Sequence, residues 1–524
     1  AADAELGPSE FVTGLGDAVE APGDVLLDSA GEIASGGPLH EASVLFFPGG
    51  EADAAVDDGF HAVEGFAVGG AIGVPAEPAH HPPAEEEPEQ EAPAPVVPPA
   101  GVERAAGIMR RVFRDYPGNM AVRLWNGQTL AFGGGTSEFT LVFREPRPLR
   151  ELILSRDPLR LAEAYFLGKV DIEGDLYAAL QLKGYLQSLR LSAAEKAAFL
   201  SAALLLGSSV DEDTGRTSPA WRASLFDRLA GKHSRPRDRQ AIAFHYDVSD
   251  DFYRLWLDEQ MVYSCAYFED ANDGLDQAQR NKLDHLCRKL RLKPGERLLD
   301  IGCGWGALIR WAAVHYGVSA HGITLSRNQY EHCRRMIDAE GLQDRVSVEL
   351  RDYRDMAGEA VFDKIVSVGM FEHVGIGNFP VYFGAARRLL KPGGLFLNHG
   401  ITHDTEGWRK SVSTTFINRY VFPDGELDTV SNVQRAMERS GFEILDVEAL
   451  RPHYALTLRH WVQRLENGRE EALRHVSEPT YRIWRLYMVA CALSFEAGDA
   501  GVYQILAGRR VKGLHPVPLT RRDV

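Results

Sequence analysis

The chain has 524 residues, of which 45% are hydrophobic and 25% charged, and this predicts a globular protein of two or three domains. No uninterrupted apolar run reaches the ~18 residues that a membrane-spanning helix needs, and we expect no secretory signal. The five cysteines are scattered and form no Cys-x-x-Cys pair, which disfavours a disulfide framework or a structural zinc site. We therefore expect a cytoplasmic protein without a bound metal.

The net charge of -17 is unevenly distributed along the chain. Residues 1–100 hold 20 acidic and no basic side chains, whereas the remainder holds 54 acidic and 57 basic ones. The first segment is also rich in Ala, Gly and Pro, so we expect a disordered leader that acts as a solvating tail or linker. A translated stretch outside the working protein and a docking segment are the alternatives. The rest is near neutral, and its charge does not predict a nucleic-acid partner.

A small α+β domain is predicted over residues 102–207. It begins with a helix over 102–115 and continues with strand patterns punctuated by glycines. The predicted strands are Met120–Leu124, Thr129–Phe132 and Phe139–Phe143. A helix over Leu176–Leu189 and a very apolar helix over Ala193–Leu206 follow. The apolar helix is interpreted as a packing element, with contact to a membrane or a second subunit as the alternative. A linker is expected over residues 208–239.

Residues 240–524 are predicted to form a second domain in which buried strands alternate with helices. Such alternation is typical of an α/β doubly wound parallel sheet. The predicted strands are Arg297–Ile301, Ser319–Thr324, Val346–Leu350, Lys364–Val368 and Gly394–His399. The predicted helices are Trp305–His315, Arg327–Glu340 and Val381–Leu390.

A glycine-rich turn follows the first of these strands, at Asp300-Ile301-Gly302-Cys303-Gly304-Trp305-Gly306. Glycines there permit a tight turn and a close backbone approach to a ligand at the carboxyl end of the strand. A glycine-rich turn alone also fits dinucleotide or phosphate sites. The spacing departs from G-x-G-x-x-G, however, and no Gly-Lys-Ser/Thr follows. With Asp300 before the glycines and Asp352 after the third strand, the pattern favours S-adenosylmethionine. The second strand ends in Thr324-Leu325-Ser326, where many such methyltransferases carry an acid.

Four segments together carry a specific family resemblance: Asp300–Gly306, Tyr263–Tyr267 (YSCAY), Val366–Val374 (VSVGMFEHV) and Phe416–Gly425 (FINRYVFPDG). They resemble the cyclopropane-fatty-acyl-phospholipid synthases, which are related to the mycolic acid cyclopropane synthases. The resemblance covers roughly residues 105–515, and the Thr and Ser at the second strand match it. It implies a Rossmann-like class I methyltransferase sheet with a smaller N-terminal lipid-handling domain.

The resemblance implies that the methyl group of S-adenosylmethionine is attacked by a cis double bond in a phospholipid acyl chain. A carbocation results, and a bound bicarbonate ion takes the proton whose loss closes the cyclopropane ring. By the same resemblance, the bicarbonate contacts fall on Cys265, Glu372, His399, Ile401 through its backbone, and Tyr454. Two negative groups side by side repel each other, so Glu372 must either be protonated or accept a hydrogen bond from the O–H group of bicarbonate. The aromatic rings of Tyr263, Tyr267, Phe371 and Tyr454 are candidates for stabilising the cation.

The resemblance also implies a set of cofactor contacts, with Trp305 packing nearby and His245–Asp247 forming a lid. The expected contacts are Tyr263, Ser264, Asp300, Gly302, Gly304, Thr324, Ser326, Gln329, Asp352 and Tyr353.

The expected partner is an unsaturated phospholipid at the inner face of the membrane, reached peripherally, and the expected assembly is a homodimer. Three alternatives to the main interpretation remain. The product is a methylene- or methyl-branched chain, the acceptor is the oxygen or nitrogen of a small molecule, or the protein binds lipid without catalysis. The Cys265, Glu372, His399 and Tyr454 set disfavours the second alternative, because a hydroxyl or amine acceptor needs no carbocation pocket.

Overall fold

Two separate β-sheets organise the part of the chain that the computed structural model describes, residues 99–155, 157–206, 249–408, 411–422 and 425–520. The predicted leader, the linker at 208–239 and the lid residues His245–Asp247 lie outside these ranges, apart from the last two residues of the leader. The division into domains at the predicted boundaries stays a prediction.

The smaller sheet has four strands in the order β2-β1-β3-β4. Strand β1 pairs antiparallel with β2 and parallel with β3, and β3 pairs antiparallel with β4. The strands are β1 Met120–Arg123, β2 Thr129–Phe132, β3 Phe139–Phe143 and β4 Val170–Gly174. Five helices accompany them: α1 Pro99–Val112, α2 Arg147–Ser155, α3 Pro158–Phe166, α4 Leu176–Ser188 and α5 Ala193–Leu204. The three predicted strands are confirmed, and β4 was not predicted.

Helix α5 is only partly a packing element, because Ala203 is the one residue of Ala193–Leu204 that is buried among the described residues. Ser192 caps its first turn through a reciprocal bond with Glu195. Glu195 also pairs with Arg111 in the last turn of α1, and Ala203 is fully buried. At the end of the helix, however, Leu204 and Leu205 are 65% and 60% exposed. Among the described residues no helix has the length and apolar character needed to cross a bilayer.

The larger sheet has seven strands in the order β10-β11-β9-β8-β5-β6-β7. The strands are β5 Arg297–Ile301, β6 Ser319–Thr324, β7 Val346–Leu350, β8 Phe362–Val368, β9 Leu390–His403, β10 Phe442–Ala449 and β11 Ala500–Arg509. The predicted doubly wound α/β sheet is confirmed, since β9, β8, β5, β6 and β7 run parallel. Strand β11 differs from that pattern, because it lies antiparallel between β9 and β10.

Ten further helices surround this sheet: α6 Asp250–Arg254, α7 Leu275–Lys289, α8 Ala307–Tyr316, α9 Arg327–Ala339, α10 Phe379–Leu389, α11 Val412–Tyr420, α12 Val430–Arg439, α13 Arg451–Asn467, α14 Arg469–His475 and α15 Glu478–Ala497. Apolar clusters cover its two faces, one containing Leu298 and Leu286 and the other Leu299 and Phe383. A third, aromatic-rich cluster joins α3, α6, α13 and α15. Burial of both faces explains the near-continuous apolar strands.

Candidate active site

A cavity of about 1140 Å³, including its open mouth, lies at the carboxyl ends of β5, β6 and β8. This is the edge where α/β sheets bind ligands. Nine of the ten predicted cofactor contacts line it: Tyr263, Ser264, Asp300, Gly302, Gly304, Thr324, Gln329, Asp352 and Tyr353. Trp305 lines it as well. The tenth, Ser326, is not part of the lining. Its side chain instead accepts the backbone N–H of Gln329 and caps α9.

The glycine-rich turn has a backbone that requires its glycines. Gly302, Gly304 and Gly306 have φ values of 87°, 55° and 84°, a left-handed region that side chains disfavour. A Cβ on Gly302 would lie 2.8 Å from Cγ of Met370, and one on Gly306 would overlap Sγ of Cys333. A Cβ on Gly304 would meet no atom within 4 Å, so the turn leaves open space where a ligand can approach the backbone.

Asp300 is a buried carboxyl group on the cavity wall. It is 3% exposed, and its Oδ1 atom has no hydrogen-bond partner. Burial raises the pKa of Asp300 to about 7, while the charge of Lys282 opposes that shift. A buried oxygen without a partner is costly, so this atom is suited to a ligand's positive group.

Polar side chains lie at or just after the carboxyl ends of β6 and β7, and they already form hydrogen bonds within the protein. Thr324 Oγ1 donates to Oε1 of Gln329 over 2.8 Å, which joins two lining residues in one polar turn. Asp352 accepts from Arg354 Nε and from the Arg354 backbone, each over 2.9 Å. The sequence interpretation treated Asp352 as a lone acid and missed Arg354. A ligand at this end therefore meets an aspartate that is already paired with an arginine.

Asp250, at the start of α6, connects the glycine-rich turn to α9. Its Oδ1 accepts from Nε1 of Trp305 over 2.9 Å, and its Oδ2 lies 3.3 Å from Nδ1 of His332. Burial alone would raise the pKa of Asp250, but the hydrogen bonds from His332 and Trp305 hold it below its usual value. The carboxylate thus fixes the indole that forms part of the cavity wall.

We expect Asp250→Ala to weaken S-adenosylhomocysteine binding about tenfold and to lower the free energy of unfolding by about 1–3 kcal/mol, because a buried indole N–H loses its acceptor. Calorimetric titration and thermal unfolding measure the two effects. Asp251→Ala is the matched control, since the adjacent Asp251 side chain is 62% exposed and pairs with Arg254. Equal behaviour of the two variants would contradict this role.

A second group of predicted residues lies beside the cavity. Glu372 sits in a short helical turn, Phe371–His373, between the lining residues Met370 and His373. Its Oε1 accepts the backbone N–H of Ile401 over 2.8 Å, and its Oε2 is buried without a partner. Burial raises the pKa of Glu372 to about 7. The structure therefore joins Glu372 and Ile401 directly, and the raised pKa brings protonation of this carboxyl group into the neutral pH range.

His399 lies on β9 next to the cavity wall. It pairs with the lining residue Val368 in the parallel ladder, and its carbonyl accepts the N–H of Gly369 over 2.9 Å. The ring is buried, and neither ring nitrogen has a hydrogen-bond partner. Burial holds the pKa of His399 well below its usual value, so the imidazole is neutral and offers one donor and one acceptor.

Cys265 and Tyr454 both belong to the aromatic-rich cluster, as does Ile401. The Cys265 thiol is fully buried, and burial raises its pKa, which makes it a poor nucleophile. It approaches the carbonyl oxygens of Ala266 and Leu450 at 3.3 and 3.8 Å. Tyr454 follows Leu450 on α13 and packs against Phe495 with a centroid distance of 4.7 Å.

The four aromatic rings expected around a cation do not form one group. Tyr263, Tyr267 and Tyr454 pack in or against the aromatic-rich cluster. Phe371 lies in the cluster on one face of the sheet, 5.8 Å from the ring of Phe379. Tyr267 is stacked on the imidazole of His285 at 4.1 Å. Tyr263 is the one of these four rings that both lines the cavity and packs against the aromatic-rich cluster.

Comparisons with known proteins show the family of this chain. The family model described as mycolic acid cyclopropane synthetase matches residues 233–505, and a domain of unknown function matches residues 108–189. A probable fatty acid methyltransferase of Pseudomonas putida is 42% identical over 412 residues, covering 77% of this chain and 96% of that protein. The cyclopropane-fatty-acyl-phospholipid synthase of Escherichia coli K12 is 41% identical over 287 residues, covering 54% and 72%.

Among solved structures, the cyclopropane synthase MmaA2 of Mycobacterium tuberculosis superposes with a TM-score of 0.49 and 36% identity, covering 52% of this chain and 98% of that one. The family match and the long alignment define the class of protein. The chain is an S-adenosylmethionine-dependent methyltransferase. It belongs to the mycolic acid cyclopropane synthetase family, which includes cyclopropane-forming enzymes and fatty acid methyltransferases.

Proposed function

We propose that the protein transfers a methylene group from S-adenosylmethionine to the cis double bond of an unsaturated phospholipid acyl chain. The observation that carries this proposal is the pair of buried, incompletely bonded groups beside the cofactor cavity, Glu372 Oε2 and the His399 ring. Methyl transfer to a hydroxyl or an amine also releases a proton, but it forms no carbocation, so its proton acceptor does not have to stand in a pocket closed to water.

The cavity fits the parts of S-adenosylmethionine. The unpartnered Oδ1 of Asp300 suits an ammonium group, and the open space over Gly304 admits a ligand close to the backbone. Thr324 and Gln329 offer neutral polar atoms for hydroxyl groups, and Asp352 with Arg354 lies at the far end. When bound, the cofactor supplies an electrophilic methyl group.

The acceptor side is suited to an alkene because it is apolar and closed to water. Cys265 and the neighbouring Ala266 are 1% and 0% exposed, and Ile401 packs against the same cluster. Excluding water matters, because water converts a carbocation into an alcohol. Tyr263 presents a ring between the cavity and this cluster, where it is able to stabilise positive charge.

We propose that a bicarbonate ion is held by Glu372, His399, Ile401, Cys265 and Tyr454, where it would supply a base. The donor set fits in part. Glu372 in its protonated form and the neutral His399 ring each offer a hydrogen-bonding atom that has no partner among the described residues. The N–H of Ile401 already donates to Glu372, and the Cys265 thiol already donates to a backbone carbonyl. These two donors are therefore occupied within the protein.

We further propose that the enzyme takes its substrate from the bilayer surface and forms a homodimer. The exposed Leu204 and Leu205 at the end of α5 support the first idea, because exposed leucines partition into a lipid interface. Flotation with phospholipid vesicles tests the surface contact, and light scattering at several concentrations tests the dimer.

A second product is favoured by the names of two relatives. The proteins aligned over 412 and 380 residues, from Pseudomonas putida and Mycobacterium tuberculosis, are both named as probable fatty acid methyltransferases. The alternative is therefore methyl transfer to the same double bond that ends in a methylene- or methyl-branched chain. The cyclopropane and the methylene-branched chain share the cation and differ in which proton leaves, whereas a saturated methyl-branched chain also requires reduction by a separate hydride donor.

Fatty acid profiling separates these outcomes. We expect expression in cells with known monounsaturated phospholipids to convert monoenoic chains into species about 14 mass units heavier, found in intact phospholipids. Mild hydrogenation leaves a cyclopropane unchanged but reduces a methylene group, and ozonolysis cleaves only the latter. An unchanged lipid profile, with folded protein that binds S-adenosylhomocysteine, would overturn the proposed acceptor. A heavier chain in free acids or thioesters alone would overturn the phospholipid substrate.

A further inference from the structure

Lys282 is a buried cation that the proposed mechanism leaves without a role. It lies on α7, is 2% exposed, and lines the cofactor cavity. Its Nζ donates to the Oγ of Ser264 over 2.7 Å. Among the described residues no carboxylate forms an ion pair with Lys282. A buried charge without a counter-ion is costly, which indicates that the opposite charge arrives with a ligand.

The nearest acidic groups do not neutralise Lys282 in the structure. Asp258 directs its two carboxylate oxygens to the backbone N–H groups of Val262 and Gln260, at 2.8 and 2.9 Å. Asp300 lies close enough to influence the lysine, but its Oδ1 has no hydrogen-bond partner in the part of the chain that the structure describes. The cavity wall thus carries a separated cation and acid, rather than a closed ion pair.

The bond from Lys282 also sets the direction of the Ser264 hydroxyl. Because Oγ accepts the lysine N–H, the hydroxyl proton is left to be donated elsewhere. Ser264 is itself buried and lines the cavity, and its carbonyl is held by Nε2 of Gln279 over 2.9 Å. A fixed hydroxyl donor backed by a positive charge is an arrangement that recognises a carboxylate.

We propose that Lys282, acting through Ser264, is the positioning residue that recognises the α-carboxylate of the cofactor's methionine part, while Asp300 faces its α-ammonium group. The pair of opposite charges on the wall then matches the zwitterion at that end of the ligand. This inference rests on the proposed placement of the cofactor in the glycine-turn cavity, and it does not depend on the identity of the acceptor.

The test compares three ligands by calorimetry with the full chain: S-adenosylhomocysteine, its decarboxylated analogue, which keeps the ammonium group, and 5′-methylthioadenosine, which lacks both charges. We expect Lys282→Met to weaken S-adenosylhomocysteine binding by about 30-fold, in the range of a hydrogen bond to a charged group. The affinities for the other two ligands should change less than about twofold. A merely structural role would lower all three affinities alike.

A matched control is Lys364→Met. Lys364 is 8% exposed, and it lies on β8 where it pairs with Leu298 near the start of β5, away from the cavity. This variant should leave all three affinities unchanged. Ser264→Ala should reproduce the selective loss, and the double variant should lose little more than either single one, because the two residues act as one unit.

Each other result overturns the inference. Equal losses for all three ligands would make Lys282 a structural residue, and an unchanged affinity together with a raised bicarbonate requirement would assign its charge to the small anion. If the fold-losses in affinity of the two single variants multiply in the double variant, Lys282 and Ser264 act independently. Failure of the unaltered protein to bind S-adenosylhomocysteine would overturn the cofactor placement itself. A negative lipid assay with the selective pattern intact would overturn only the proposed acceptor.

Discussion

Glu372→Gln is expected to reduce methyl transfer to phospholipid by about 10²- to 10⁴-fold, the range associated with loss of a proton-handling group. The amide retains the oxygen that accepts the Ile401 N–H. It replaces the unpartnered Oε2 by an NH₂ group that neither gives nor takes a proton at neutral pH. Turnover is measured on vesicles of a monounsaturated phospholipid, and binding of S-adenosylhomocysteine should change less than about twofold.

The control for this variant is Glu438→Gln, an exposed position on α12, which should retain full turnover. Retention of full turnover by Glu372→Gln would remove Glu372 from the site while leaving the family assignment intact. Loss of cofactor binding in parallel with turnover would instead show that the turn Phe371–His373 has collapsed.

Although Glu372→Gln is expected to lower turnover, it should stabilise the folded protein at alkaline pH. Burial raises the pKa of Glu372 from 4.5 to about 7, so the folded protein holds a proton that the unfolded chain has released. The unfolding free energy of the unaltered protein therefore falls as pH rises from about 4.5 to about 7, by about 3 kcal/mol for this group. Glutamine has no such dependence, so the variant should unfold at a higher temperature than the unaltered protein at pH 8 and at a similar one at pH 5.

Gly400→Ala is expected to lower the free energy of unfolding by about 3 kcal/mol or more and turnover by at least about 100-fold. Gly400 lies between His399 and Ile401 on β9. A Cβ there would overlap the ring of Phe371 and lie 3.0 Å from Oε1 of Glu372. Phe371 is only 1% exposed and has no room to retreat, so ring and carboxylate must shift together. Urea unfolding and the vesicle assay measure the two losses.

Gly384→Ala is the matched control for this second variant. Gly384 lies inside α10, where an added Cβ meets no atom within 4 Å. Alanine there should leave turnover unchanged and raise the unfolding free energy by about 0.5–1 kcal/mol, because alanine favours a helix. A stable and active Gly400→Ala protein would mean that the contact between Gly400 and Phe371 does not hold Glu372 in place.

The parallel half of the fold was predictable because short strand-forming segments alternate there with helical ones and are bounded by glycines or polar turns. Strands β5, β6 and β7 begin and end where the pattern places them. Strands β10 and β11 were not predicted. Their pairing is antiparallel and joins segments far apart in the chain, and no local pattern encodes the partner of a strand. The engagement of Asp352 by Arg354 likewise depends on side-chain geometry rather than spacing.

Lys282 shows what the sequence interpretation of the site missed and which signal was present. The sequence analysis assigned no role to this lysine, which lies in the polar sequence of α7. Yet Leu275, Ala278, Lys282 and Leu286 recur with helical spacing, and all are buried. A charged residue in phase with an apolar face is a candidate for a buried functional group. The residues named from family resemblance needed no such periodicity, since four short motifs identified the family and the resemblance then implied the site residues.

The position of strand β11 bears on when the enzyme becomes active during its synthesis. The residues that flank Gly400 on β9 pair with this strand, His399 with Gln504 and Ile401 with Val502. Until the ribosome has synthesised β11, Ala500–Arg509, strand β9 is an edge strand, and the backbone groups on that side lack their hydrogen-bond partners. A growing chain thus completes its glycine-rich turn well before the strand that carries His399 and Ile401 is secured. Activity should appear only after β11 has emerged.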